Sequence, residues 1–143
     1  MRIRIKRFDK ELPLPEYKSQ GAAAFDLTAR VNVTIKPKVI GYVPLNVAIE
    51  TPEGYFLILA SRSSTHKKGL MMANGIGIGD PDFSGDGDEY QAVFLNISDL
   101  PVKIEKGERI AQGIFVKLEK AQWIETHKMK NRTRGGFGTT GKK

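Results

Sequence analysis

Residues 72–90 read MANGIGIGDPDFSGDGDEY, and this stretch sets how the rest of the chain is read. From Asn74 to Gly79 small and apolar residues alternate, with glycine at 75, 77 and 79, and Asp80-Pro81-Asp82-Phe83 closes the run. A period of two is the signature of extended chain, and glycine at every second position leaves one face of that chain without side chains. A flat ligand can approach such a face and use the backbone N–H and C=O groups directly. Asp80 and Asp82 stand at its mouth with Phe83 beside them. A carboxylate in that position suits a general base or a metal ligand. The plainer reading of the same residues is a glycine-rich hairpin with acidic turn residues.

Outward from this stretch the pattern is again extended. Ile3 and Ile5 alternate with Arg2, Arg4 and Lys6, and Val31, Val33 and Ile35 alternate up to Pro37. Val39–Ile49 is strand-like but broken by Gly41 and Pro44. Tyr55–Leu59 is continuously apolar, reads as a buried strand, and leads directly into Ser61-Arg62-Ser63-Ser64. Downstream, Gln91–Ile97, Val102–Glu105 and Arg109–Leu118 read as strands, and Gln122–Glu125 as a weak last one. The one helix signal is short: Ser63-Ser64-Thr65-His66-Lys67-Lys68-Gly69, hydroxyl caps in front and glycine behind. Many short strands with turn residues between them predict an all-β domain, a sandwich, jelly roll or small barrel.

The chain has 143 residues, 40% of them apolar and 27% charged, which suits a single globular domain with a real core. It contains no cysteine, which rules out disulfides, thiolate zinc sites and thiol nucleophiles. No apolar run reaches the roughly 20 residues that span a bilayer, and MRIRIKRFDK has no apolar core after its basic residues, so no signal peptide or membrane anchor is expected. A cytoplasmic location fits. The net charge of +7 points to an anionic ligand. Nucleic acid is one candidate, but the cations are dispersed and not interleaved with aromatics; a small phosphorylated ligand fits equally well, and on the whole-chain reading no nucleic acid is expected. His66 and His127 are too isolated to suggest a ligand pair.

Residues 131–141, NRTRGGFGTTG, depart from the strand pattern. They are rich in glycine, with Phe137 as the one large apolar side chain, and cannot build a core. Such a segment is either a frayed terminus or a lid, with an aromatic to stack on a flat ring and Arg132 and Arg134 to meet phosphates.

Five separated stretches, taken in order, resemble the trimeric dUTP pyrophosphatases (dUTPases). They are Ala24-Phe25-Asp26-Leu27-Thr28-Ala29, Ser61-Arg62-Ser63-Ser64, Asn74 to Gly85, Gly107-Glu108-Arg109-Ile110-Ala111-Gln112, and Arg132 to Gly141. The resemblance implies a jelly-roll or β-clip barrel forming a homotrimer. It implies a β domain over 1–128 and, over 129–143, a swapped C-terminal arm that closes over a neighbour's active site. The implied reaction is Mg²⁺-assisted attack of water on the α-phosphorus of dUTP, giving dUMP and pyrophosphate. Such a dUTP diphosphatase keeps uracil out of DNA and supplies dUMP.

Residue by residue, the resemblance makes Asp80 the acid that orients and deprotonates the water. Phe83 takes the place of the aromatic that stacks under deoxyribose and excludes a ribose hydroxyl. Asn74 and the backbone of Gly75, Ile76, Gly77 and Ile78 match the hairpin that reads the uracil edge. Arg62, Ser63, Ser64 and Gln112 match phosphate contacts. Arg132 matches the arm's phosphate clamp, Phe137 the aromatic over uracil, and Gly138 and Thr139 the adjoining arm contacts. Asp26 matches an acid near the water shell of a metal otherwise held by the substrate's phosphates.

The sequence departs from the family's pattern at several positions. Gly79 stands where a bulkier apolar residue usually precedes the acid, which would loosen the hairpin. Phe83 lacks a tyrosine's hydroxyl, Ser61 replaces a proline, Thr133 replaces a glycine, and Gly85-Asp86-Gly87-Asp88-Glu89 reads as an acidic extension. Three other readings compete. A related dCTP deaminase, alone or bifunctional, would need a glutamate base after the hairpin, for which Glu89 is the candidate. A non-catalytic dUTPase-like signalling protein would keep the pocket without using Asp80. A basic nucleic-acid-binding barrel has only the net charge behind it.

Overall fold

The structure is a computed structural model that describes residues 1–137. Eleven strands run through the described residues: β1 (Arg4–Arg7), β2 (Phe25–Thr28), β3 (Val33–Ile35), β4 (Ile40–Pro44), β5 (Val47–Glu50), β6 (Tyr55–Ser61), β7 (Leu70–Met72), β8 (Gly77–Gly79), β9 (Gln91–Asn96), β10 (Val102–Ile104) and β11 (Arg109–Lys117). The expected helix is one 3₁₀ turn, Thr65–Lys68, between β6 and β7. Gly69 ends it at φ 75°, the left-handed conformation glycine adopts without cost.

All the pairing is antiparallel. One sheet has the order β2-β11-β6-β8 and another β4-β9-β7, while β1-β5 and β10-β3 are two-stranded ribbons. The expected all-β architecture is present, but among the described residues these sheets do not join into one closed barrel. Their inner faces share one core, in which Leu27, Val43, Leu57, Ala92, Phe94 and Ala111 are completely buried. The strands are short because each is closed by a turn residue: Pro37, Pro52, Gly54, Gly69, Pro101 or Gly107.

Several local expectations are corrected. Residues 72–90 form no hairpin: β7 pairs with β9, and β8 pairs with β6 in a different sheet. Asn74-Gly75, with Gly75 at φ 72°, is the corner at which the chain changes sheets. β6 is buried only on alternate residues, Leu57 and Leu59, because its other side faces outward. In β1, Ile5 is 37% exposed, so this strand has no buried face. Gln122–Glu125 is not a strand. The last tie to the body is Leu118 N–H to the Gly54 carbonyl (2.8 Å), and Trp123 and Ile124 beyond it are exposed.

Two buried asparagines carry structure that periodicity does not reveal. Asn96 donates to the Ile35 and Leu100 carbonyls (2.9 and 2.7 Å) and accepts from Ser98 N (2.9 Å). Asn46, at φ 70°, donates to the Asp9 carbonyl (3.0 Å) and accepts from Asp9 N (2.6 Å). Each satisfies a bend where β pairing stops.

β11 is the spine of the larger sheet. Its Gln112 lies level with Asp26 of β2 on one side and Ala60 of β6 on the other. Gly113 follows, and the Phe25 ring lies flat over it: a Cβ there would come within 2.6 Å of the ring. Phe25 is held in turn by Phe115 (centroids 5.5 Å) and Tyr17 (5.7 Å). Gly113→Ala is therefore expected to destabilise the fold by about 1–3 kcal/mol. A denaturant titration would measure this as a lower unfolding midpoint, whereas an unchanged midpoint would mean that Phe25 moves aside freely.

Candidate functional site

Two separate concavities hold the residues singled out by the sequence. The first, about 390 Å³, is bounded by Asn74, the β8 backbone from Gly77 to Gly79, Asp80, Phe83, Tyr42 and Tyr90. The glycine-lined face is only partly open. A Cβ on Gly77 would press on Leu59 (3.1 Å), and Gly79 is covered by the Tyr90 ring. The alternating glycines thus make room for side chains of the protein as well as leaving backbone accessible. There is no hairpin here for Gly79 to loosen, and Tyr90 fills the space a larger residue at 79 would take. Tyr90 is buried, and its hydroxyl has no hydrogen-bond partner. Burial pushes its pKa up, and a Thr51 hydroxyl close by, not aligned as a hydrogen bond, only partly opposes this.

Asp80 follows β8 directly, with its carboxylate exposed and free of hydrogen bonds or ion pairs to the described residues. A turn closed by Phe83 N–H to the Asp80 carbonyl (3.1 Å) brings the Phe83 ring back beside it. A free carboxylate at the rim of a half-apolar slot is placed to accept a proton from a water held at the slot's mouth.

The second concavity, about 450 Å³, is bounded by Ser61, Arg62, Ser63, His66, Met71 and Gln112. Its floor is the end of β6 and the 3₁₀ turn. Ser64 is the N-cap of that turn, but its side chain makes no capping bond, and Ser63 and Ser64 are exposed. Gln112 reaches across from β11 and donates to the Ser61 carbonyl (2.9 Å), pinning the turn. Hydroxyls, a guanidinium and backbone N–H groups together suit phosphate oxygens.

Behind this turn lies a cluster not wholly legible in the sequence. Asp26 accepts from Arg62 Nε on one oxygen (2.9 Å) and from Arg109 Nη1 on the other (2.9 Å). Its side chain is only 14% exposed. Arg109 was not singled out. The signal for it was its place beside Gln112 in a stretch that the register sets between β2 and β6. Each Asp26 oxygen thus already accepts one guanidinium N–H. Among the described residues no three His, Cys, Asp or Glu side chains gather to hold an ion. Asp26 instead orients two arginines and leaves the cluster one net positive charge.

The two concavities share no residue, and β6 measures the gap between them. Gly79 lies level with Leu57, so Asp80 falls level with Phe56, six residues before Arg62. At about 3.3 Å per residue that is roughly 20 Å. Within one chain Asp80 and Arg62 therefore cannot meet at one phosphorus. Arg132 and Phe137 are exposed and touch neither concavity, and Gly138 and Thr139 lie outside the described residues.

Glu89, the alternative base, is already committed. Arg30 donates to both its oxygens (2.7 and 2.9 Å), and Asn46 N donates to one of them (2.8 Å). The pair holds the chain at the entry to β9, and Glu89 raises the Arg30 pKa.

Comparison with known proteins follows the same lines. The dUTPase family model matches residues 10–141. The chain belongs to the dUTPase family. The deoxyuridine 5'-triphosphate nucleotidohydrolase of Hydrogenobaculum sp. is 38% identical over the whole of both chains. The corresponding Helicobacter pylori protein is 36% identical over 99% of this chain and 97% of its own. Among solved structures, the dUTPase of Streptococcus mutans is 28% identical, with a TM-score of 0.75 over 83% of this chain and 98% of that one. The strand arrangement described above is thus the dUTPase fold.

Glu89→Gln removes the charge that balances Arg30 and is expected to cost about 1–3 kcal/mol of stability. A chemical-denaturation midpoint equal to that of the unchanged chain would show that this ion pair holds nothing.

Proposed function

We propose that the protein hydrolyses dUTP to dUMP and pyrophosphate as a dUTP diphosphatase. Water attacks the α-phosphorus, and Asp80 orients that water and takes its proton. The observation that carries this reading is Asp80 itself: an unpaired carboxylate at the mouth of a slot of about 390 Å³, next to an aromatic ring. A signalling protein that only binds nucleotide has no use for such a group, and family membership supports the substrate.

The uracil edge is read by Asn74 and by the backbone of Gly75, Ile76, Gly77 and Ile78, where little room remains for a methyl group. Phe83 lies under the deoxyribose. Arg62, Ser63, Ser64 and Gln112 bind the phosphates, with Arg62 aimed by Asp26. Phosphoryl transfer depends on such positioning and charge neutralisation more than on covalent help. Mg²⁺, bound to the triphosphate, neutralises its charge and keeps its own waters. The paired state of Asp26 fits an ion carried in by substrate, with any contact running through those waters.

The roughly 20 Å between Asp80 and Arg62 supports a site shared between subunits, as in a homotrimer. One copy supplies the slot with Asp80 and Phe83, and another supplies the phosphate turn. Residues 129–143 act as the arm of a further copy, with Arg132 on the phosphates and Phe137, Gly138 and Thr139 over the base. The exposure of Trp123, Ile124 and Phe137 in the single chain agrees with a segment built to lie on a neighbour. No helix among the described residues is long and apolar enough to cross a membrane. The reaction belongs in the cytoplasm, where it would keep uracil out of DNA and supply dUMP for dTMP synthesis.

Incubation with Mg²⁺ and dUTP, dCTP, dTTP or UTP should give pyrophosphate and dUMP from dUTP. Asp80→Asn should lower kcat by about 10²–10⁴-fold. Ammonia from dCTP would instead assign the chain to the deaminases, and dUTP binding without turnover would make it a nucleotide sensor. Sharing of the site has its own test. Asp80→Asn and Arg62→Ala chains, each inactive alone, should regain activity when unfolded and refolded together. No recovery in the mixture would place both groups in one chain.

A further inference from the structure

We propose that Tyr90 is a positioning residue for the sugar end of the slot, and that position 79 is glycine in order to admit it. The inference rests on the dUTP-hydrolysing reading above, in which Phe83 lies under the deoxyribose and excludes ribose.

Phe83 has little of its own to hold it. Its turn is closed by one backbone hydrogen bond, and its ring is 39% exposed. The contact that fixes the ring's tilt is Tyr90, met edge-on with centroids 5.2 Å apart and planes at 76°. Edge-to-face geometry is the favoured arrangement of such a pair, because the positive ring edge meets the negative ring face.

Tyr90 is itself immobile. Its N–H donates to the Val47 carbonyl (2.9 Å) and its carbonyl accepts from Leu45 N (2.9 Å). The preceding residue, Glu89, is clamped by Arg30. The side chain is 95% buried, and its ring lies where a side chain at 79 would go. A Cβ at 79 would stand 2.8 Å from Cε1 and 2.9 Å from Cζ, with Oη closer still. Residues 79 and 90 therefore divide one volume between them. A large residue at 79 and Tyr90 cannot coexist without displacing the ring on which Phe83 leans.

The hydroxyl contributes nothing to this role. It is buried without a partner, an arrangement that lowers stability, so the ring alone carries the effect. Tyr90→Phe is then the conservative variant that keeps the function. Tyr90→Leu keeps an apolar residue but removes the ring edge.

The test compares kcat and KM for dUTP and UTP in the full chain and in Tyr90→Phe, Tyr90→Leu, Gly79→Ala and the Gly79→Ala, Tyr90→Leu double variant. Tyr90→Leu should lower the preference for dUTP over UTP about ten-fold, the scale of one lost packing contact in a pocket. KM for dUTP should rise by more than kcat falls. Tyr90→Phe should keep the preference and melt at a higher temperature. Gly79→Ala should lose preference as Tyr90→Leu does, and the double variant should recover the melting temperature lost by Gly79→Ala alone. The Phe83 ring resonances of the nucleotide-free protein give a readout independent of turnover: they should shift and average in Tyr90→Leu but not in Tyr90→Phe. A lower melting temperature in Tyr90→Leu with the substrate preference and the Phe83 resonances unchanged would reduce Tyr90 to a filler of space and overturn the proposal. If the unchanged chain does not hydrolyse dUTP, the reading of the reaction fails. The Phe83 resonances then decide the positioning role alone.

Discussion

One carboxylate ties three strands together at one end of the larger sheet. Asp26 comes from β2, Arg62 from the end of β6 and Arg109 from the start of β11, and they meet because β11 pairs with both other strands. Two guanidinium groups this close would repel each other and splay apart without a shared anion. With Asp26 between them, both are aimed, and one positive charge remains for an incoming anion. The side chain that resembles a metal ligand thus works by orienting cations. Its own placement depends on the register of β11, which Gly113 under the Phe25 ring keeps fixed.

β6 then acts as a ruler. Its early residues align the slot with Asp80, and its last residue begins the phosphate turn. An extended chain cannot bend these two ends toward each other without losing its ladder to β11. A rigid strand of this length therefore keeps the slot with Asp80 and the Arg62 turn apart within one chain. Several large apolar side chains, Ile78, Met71, Trp123 and Ile124 among them, remain exposed on the single chain.

The glycines at 75, 77 and 79 serve two ends. Gly75, at positive φ, turns the corner between sheets, whereas Gly77 and Gly79 are ordinary extended residues whose missing side chains are replaced by Leu59 and Tyr90. The slot keeps its shape because its floor is filled from other strands, with Tyr90 anchored through its backbone and through the Arg30–Glu89 pair next to it. That pair also commits Glu89 to a structural role: three donors, two from Arg30 and one from Asn46 N, hold its carboxylate in place.

The sequence by itself determined the all-β character, most strand positions and the family. Period-two patterning and turn residues are local signals, and Asp80, Phe83, Arg62 and Gln112 are recognisable as residue types in a given order. It misjudged Ile5 as buried, because β1 pairs only with β5 in a two-stranded ribbon whose Ile5 side the core does not cover, and Gln122–Glu125 as a strand, because that segment has the pattern but no pairing partner among the described residues. It could not reveal that residues 72–90 cross between sheets, since pairing partners are chosen over long sequence distances. Nor could it reveal that Tyr90 occupies the space left by Gly79, or that Asp26 is consumed by two arginines. Those facts were decided only by the tertiary structure, because volume and charge are shared between residues that meet only when the strands are in register.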